Sequence, residues 1–162
     1  MALGDNAMPY YPKDPKIFLK EENPGIRLTS LLGNTNSYLI VCSEMKEVIA
    51  SYCQDVEVEY LPFALYDHRK RLYSRDYFII NPIGSHDCLN EKASGVEYGP
   101  EGGVVRIAQL VLDAAKLNNL PPFFRIDKQR TTYVVSEPLA QSLKDRGFTN
   151  IQLEPLAISA SA

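Results

Sequence analysis

The chain has no tryptophan, two histidines and three cysteines among its 162 residues, and each scarcity closes off a class of function. His68 and His86 alone are too few to build a zinc centre. Cys42, Cys53 and Cys88 follow neither a metal-ligand nor a disulfide-framework spacing, and an odd set of this kind reads as buried thiols in a reducing compartment. No metal and no cofactor is expected. No apolar run approaches the roughly 18 residues that a spanning helix needs, and residues 1–20 lack both a basic start and an apolar stretch for a secretion signal. These absences predict a soluble, cytoplasmic protein without membrane contact. Apolar content of 45% and charged content of 23% are those of an ordinary globular domain.

What is present is uneven charge. The net charge is −3, yet residues 51–103 hold nine acids against five bases, and Arg106, Lys116, Arg125, Lys128, Arg130, Lys144 and Arg146 tip the balance the other way afterwards. An acidic middle argues against direct nucleic-acid binding, which needs a continuous basic footprint, and suits a basic protein partner.

Residues 1–24 carry Pro9, Pro12, Pro15 and Pro24, which remove backbone donors, so a proline-rich extended arm is predicted ahead of a single domain over 25–162. Residues 37–41 read as a strand, with Ser43 as helix cap and Met45, Val48, Ile49 and Tyr52 on one helical face. Residues 56–60 alternate as a strand with one wet face, and Pro62 implies an edge or a strand end. The pattern returns with a strand at 131–135, a cap at Ser136, a stripe of Leu139, Ala140 and Leu143, Gly147 and Phe148 closing the helix, and a strand at 151–156. Two related strand-helix-strand units are therefore expected. Between them, residues 61–66 and 71–81 flank the basic tip Asp67-His68-Arg69-Lys70 as one hairpin, Asn81-Pro82-Ile83-Gly84 turns the chain, and residues 96–98 and 104–112 form a second hairpin around Gly99 to Gly103. A helical turn at 113–117 and a strand at 123–126 complete an α+β fold, mainly antiparallel with hairpins and two helices.

Catalytic signatures are thin. His86-Asp87-Cys88 places a thiol beside an imidazole, but alternate residues of an extended chain share a face, so Asp87 would not orient His86. The glycines of residues 99–103 precede neither a helix nor a lysine and form no phosphate cradle. Glu57 and Glu59 are a carboxylate pair on a face read as solvated. No catalytic residue is assigned. Of the ten tyrosines, Tyr60, Tyr66, Tyr73, Tyr77 and Tyr98 gather around the hairpins, where tyrosine packs on a sheet or anchors an interface.

The run Tyr77-Phe78-Ile79-Ile80-Asn81-Pro82-Ile83-Gly84, followed by Asp87-Cys88-Leu89 and Ser94, resembles the bacterial immunity family of polymorphic toxin systems numbered eleven, a former domain of unknown function. The likeness continues through Leu110-Val111-Leu112-Asp113, Phe124-Arg125, Val134-Val135-Ser136-Glu137 and Leu153-Glu154-Pro155-Leu156, covering residues 36–156. Two features depart from the family pattern: Asn90 stands where an acid is expected, and Arg69-Lys70-Arg71 lacks a glycine expected at the hairpin tip. The resemblance implies a small cytoplasmic protein encoded beside a toxin gene, which binds that toxin one to one and occludes its active site. An effector adaptor or chaperone, or a small cysteine-dependent hydrolase, are the alternatives. From the charge asymmetry, the partner-binding surface is expected at Glu57, Glu59, Tyr66, Tyr73, Asp87, Glu91, Glu97 and Glu101.

Overall fold

Neighbouring strands whose alternate residues are apolar on both sides build a sheet that must be covered twice. In the computed structural model, which describes residues 1–20 and 27–160, the elements in chain order are β1 (Lys16–Phe18), β2 (Leu31–Leu32), β3 (Leu39–Cys42), α1 (Ser43–Tyr52), β4 (Val58–Tyr66) and β5 (Leu72–Pro82). They continue as α2 (Glu91–Ser94), β6 (Val96–Tyr98), β7 (Val104–Ile107), β8 (Val111–Asp113), β9 (Phe123–Ile126), β10 (Gln129–Val135), α3 (Glu137–Asp145) and β11 (Ala157–Ser159). The class is α+β and the pairing mostly antiparallel, and a single-turn helix, α2, joins the two expected helices.

The principal sheet has the order β1-β4-β5-β3-β2, with β1 parallel to β4 and the remaining pairs antiparallel. Val41 and Ile80 point to the face that Met45, Val48 and Ile49 of α1 and Leu139 and Leu143 of α3 cover, so the two helices share one core. Ile40, Leu61, Phe63, Leu65 and Ile79 point to the other face, where Met1, Ala7, Tyr11, Ile17 and Leu19 pack. The N-terminal segment thus supplies the second cover. Gly4, at φ +83°, makes that approach possible: its carbonyl accepts Gly84 N at 2.9 Å, and a Cβ at Gly4 would lie 2.5 Å from the Gly84 oxygen. Residues 21–24 of the predicted arm lie outside the described residues.

A buried polar chain anchors the same segment. Glu59 and Asn81 are cross-strand partners, and Asn81 Nδ2 donates to Glu59 Oε2 at 2.7 Å. Glu59 also accepts Ala7 N at 3.0 Å and Met8 N at 2.7 Å. Arg125, 1% exposed, donates to Met1 O, Ala2 O, Pro82 O, Arg130 O, Asn81 Oδ1 and Tyr133 Oη. Every acceptor is neutral, so the guanidinium is stabilised by saturation of its donors rather than by an ion pair. The expectation that residues 56–60 keep a wet face holds at Glu57, which is exposed, and is corrected at Glu59: Val56, Val58 and Tyr60 pack toward the helices, and Glu59 lies under residues 7 and 8 at 9% exposure.

The hairpin of β4 and β5 turns where expected. Its tip is closed by Asp67, whose carboxylate accepts Arg69 N at 2.8 Å, Arg71 N at 2.9 Å and Arg71 Nε at 2.8 Å. Pro62 lies inside β4, not at its end, but β1 accompanies β4 only from Ala64 onward, which leaves Pro62 on a locally open edge. Two further expectations are corrected. The strand read over 104–112 is broken: Ala108 N and Gln109 N bond to Ser94 O, and the chain restarts as β8 beside β11. No strand forms at 151–156; Ile151 and Leu153 pack on the helical core without a ladder partner, and the strand comes later as β11. Periodicity there records contact with a core, not pairing. The two Ser-Glu segments both lead from a strand into a helix, but only α1 is followed by a return strand in its own sheet.

Candidate partner-binding surface

The second hairpin and its neighbours carry a cluster of linked charges. Asn90 caps α2, its Oδ1 accepting Ala93 N at 3.0 Å, and Gly95 at φ +60° ends the turn. The amide group of Asn90 also donates to Ser159 Oγ at 3.0 Å and Ala160 O at 3.1 Å, tying β11 to the cap. An aspartate could cap but could not donate, which gives a physical role to the asparagine that departs from the family pattern. The cap sets Glu91 on the surface beside β6.

Around Glu91 a network closes. Lys116 Nζ lies 2.9 Å from Asp87 Oδ2 and donates to Leu89 O at 3.1 Å. Lys128 Nζ bridges Asp87 Oδ1 at 3.4 Å and Glu91 Oε1 at 3.1 Å. Tyr98 Oη donates to Glu91 Oε2 at 2.7 Å. On the adjoining strand Arg106 Nη1 meets Glu97 Oε1 at 3.2 Å. The Lys116 ammonium beside Asp87 holds its carboxyl below the usual range, helped by Lys128. Glu91 is likewise lowered, first by the Tyr98 hydroxyl and then by Lys128, and the same bond raises Tyr98. For Lys128, partial burial works against its charge, but Glu91 and Asp87 outweigh it and the net shift is upward.

The remaining predicted residues do not join this patch. Glu101 is exposed in the β6–β7 turn, and Glu57 is exposed at the foot of β4, where its carbonyl accepts Ile83 N at 3.0 Å. Glu59 is internal, as described, and is withdrawn from the surface set. Tyr66 and Tyr73 lie at the far end of the β4–β5 hairpin, Tyr66 half-buried with its ring 5.3 Å from Phe18. Nine residues of strand, at about 3.3 Å each, put Glu57 and Tyr66 on the order of 30 Å apart. A single standard interface is about that wide, so Glu57 and Tyr66 cannot both lie at the centre of one.

Lys116, Lys128 and Tyr98 were missed as site residues. Nothing local could have revealed the lysines, since they reach Asp87 across sequence separations of 29 and 41. Tyr98 did carry a signal, as an exposed tyrosine next to Glu97 in a turn-rich hairpin. The acidic middle is thus partly neutralised by lysines from the basic part of the chain. The His86–Cys88 pair serves packing: Cys88 is buried among Leu89, Leu112, Phe124 and Ile126, and burial pushes its thiol pKa up, away from the thiolate a nucleophile needs. His86 sets its ring edge-on to Phe124 at 5.5 Å. Among the described residues, no group of three metal-ligating side chains comes together.

The model of the Immunity protein family (Imm11) matches residues 2–157. The chain belongs to that immunity family. The match begins well before residue 36 and so takes in the segment that covers the second face of the sheet. Membership implies a cognate toxin as partner and a role in binding. No curated protein matches the chain, and among the described residues of this Imm11 member no helix is long and apolar enough to cross a membrane.

Proposed function

We propose that this immunity protein neutralises its cognate toxin in the cytoplasm of the producing cell by binding it one to one and occluding the active cleft. The observation that carries the reading, beyond family membership, is the exposed network of Asp87, Glu91, Tyr98, Lys116 and Lys128. Its acceptors and donors are held in place before any partner arrives, and Tyr98 is 48% exposed above them. Preorganised charge with a tyrosine anchor is the composition of a specific contact, because little side-chain freedom remains to be lost on docking. Glu97, paired with Arg106 across β6 and β7, extends the same surface along the hairpin.

Calorimetric titration of the full chain against the toxin encoded beside it tests both parts. The expected result is a stoichiometry of one, loss of toxin activity in proportion to the bound fraction, and weakening by roughly tenfold or more for Tyr98→Ala with Glu91→Lys. Inhibition at far below one equivalent would point to turnover and sink the occlusion reading. Protection of secretion without rescue of cells that make the toxin internally would favour the adaptor instead.

A further inference from the structure

The opposite end of the molecule has the reverse chemistry. At the distal end of the β4–β5 hairpin, Phe18, Tyr66 and Leu72 sit side by side across three strands, since Phe18 is in register with Tyr66 and Tyr66 with Leu72. Phe18 and Leu72 are each 51% exposed. Around them stand Lys16, Arg69, Lys70, Arg71 and Arg75. Asp67, the acid at the tip, is turned inward and spends its carboxylate on the turn and on Arg71, while Lys16 pairs with Asp14 at 2.9 Å. Among the described residues Arg69, Lys70 and Arg75 have no ion-pair partner, which leaves an excess of positive charge around an apolar centre.

We infer that this hairpin end is a second docking surface, whose occupant is an acidic, apolar-centred patch on a protein. Resting on the function proposed above, that protein is the cognate toxin, held here as well as at the patch of Asp87, Glu91 and Tyr98. An aromatic and aliphatic centre ringed by arginine and lysine is the anatomy of a protein interface, with the cations steering encounter and the rings supplying the desolvated contact. Nucleic acid fits less well. Base stacking needs open ring faces, whereas Tyr66 is engaged by Phe18 at 5.3 Å and by the Lys16 ammonium at 5.9 Å from its centroid. The cations are also confined to one end of a chain whose net charge is −3.

The test titrates the full chain and its variants against the purified toxin at low and at physiological salt, with thermal melts to confirm that each variant is folded. Phe18→Ala with Leu72→Ala is expected to raise Kd by about 30-fold or more. Should Phe18→Ala loosen β1, Leu72→Ala alone, in a side chain half in solvent, is expected to give about tenfold. Arg69→Glu with Arg75→Glu is expected to slow association by about tenfold and to flatten its salt dependence. Unchanged affinity and association rate in these variants overturn the inference while the proposed function stands. A wild type that does not bind the toxin overturns both. Binding of a mixed-sequence RNA oligonucleotide as tight as that of the toxin, or self-association on sedimentation, overturns it too if the hairpin variants abolish that binding, since the occupant is then RNA or a second copy.

Discussion

Replacing Glu59 by glutamine asks whether residues 1–8 belong to the fold or merely accompany it. The carboxylate accepts Ala7 N, Met8 N and Asn81 Nδ2, all between 2.7 and 3.0 Å. Glutamine preserves the shape but turns one acceptor into a donor, so either the backbone amides or the Asn81 amide must face an N–H. Hydrogen bonds to a charged group are worth about 1.5–3 kcal/mol each, and a buried donor left unpaired costs about 1–3 kcal/mol. Allowing for partial relaxation, the loss should be about 2–4 kcal/mol. In a chain of this size that corresponds to a fall in Tm of roughly 5–15 °C. The assay is urea unfolding followed by circular dichroism, repeated in a chain lacking residues 1–8. Without those residues the two amides are gone, and Glu59→Gln should cost less than about 1 kcal/mol, or even stabilise by removing a carboxylate with too few partners. Coupling of about 2 kcal/mol between the changes is therefore expected. Equal losses in both backgrounds would refute the account, because Glu59 would then be acting through something other than the N-terminal segment.

Two further outcomes follow from local geometry and electrostatics. Lys70 adopts φ +60° at the hairpin tip, a left-handed conformation that costs a side-chain-bearing residue about 1–2 kcal/mol, so Lys70→Gly should stabilise by about 0.5–1 kcal/mol after the greater chain entropy of glycine is offset; chemical denaturation measures it. Asp87 has a folded-state pKa lowered chiefly by Lys116, so the contact contributes stability above about pH 4, the unfolded value, and loses it as pH falls through the folded one. Because Asp87 is half exposed, Lys116→Met should cost less than about 1 kcal/mol at pH 7. The difference should close in acid, and one that persists there would assign the effect to the Lys116 bond with Leu89 O.

Much of the fold could be read from local pattern. The β4–β5 hairpin, the helix stripes of Met45, Val48 and Ile49 and of Leu139 and Leu143, the Gly147 stop with Phe148 returning to the core, and the glycine-rich β6–β7 turn all depend on neighbours a few residues apart. The errors fall where one chain pattern serves different partners. Alternation at 151–156 looked like a strand because Ile151 and Leu153 face a core. Alternation at 56–60 looked half wet because nothing within that segment announces that residues 7 and 8 will lie over Glu59.

By itself the sequence determined the α+β class, the two hairpins, the two longer helices and, through the order of its motifs, the immunity family. These rest on short-range periodicity, turn chemistry and spacing, all of which are written along the chain. Tertiary structure alone decided which acids are surface. It buried Glu59 beneath the N-terminal segment, paired Asp87 and Glu91 with Lys116 and Lys128, and, among the described residues, left Arg69, Lys70 and Arg75 of the β4–β5 hairpin without an ion-pair partner. The reason is that charge acts through space: its strength depends on separation and on exclusion of water, and neither is set until distant segments meet.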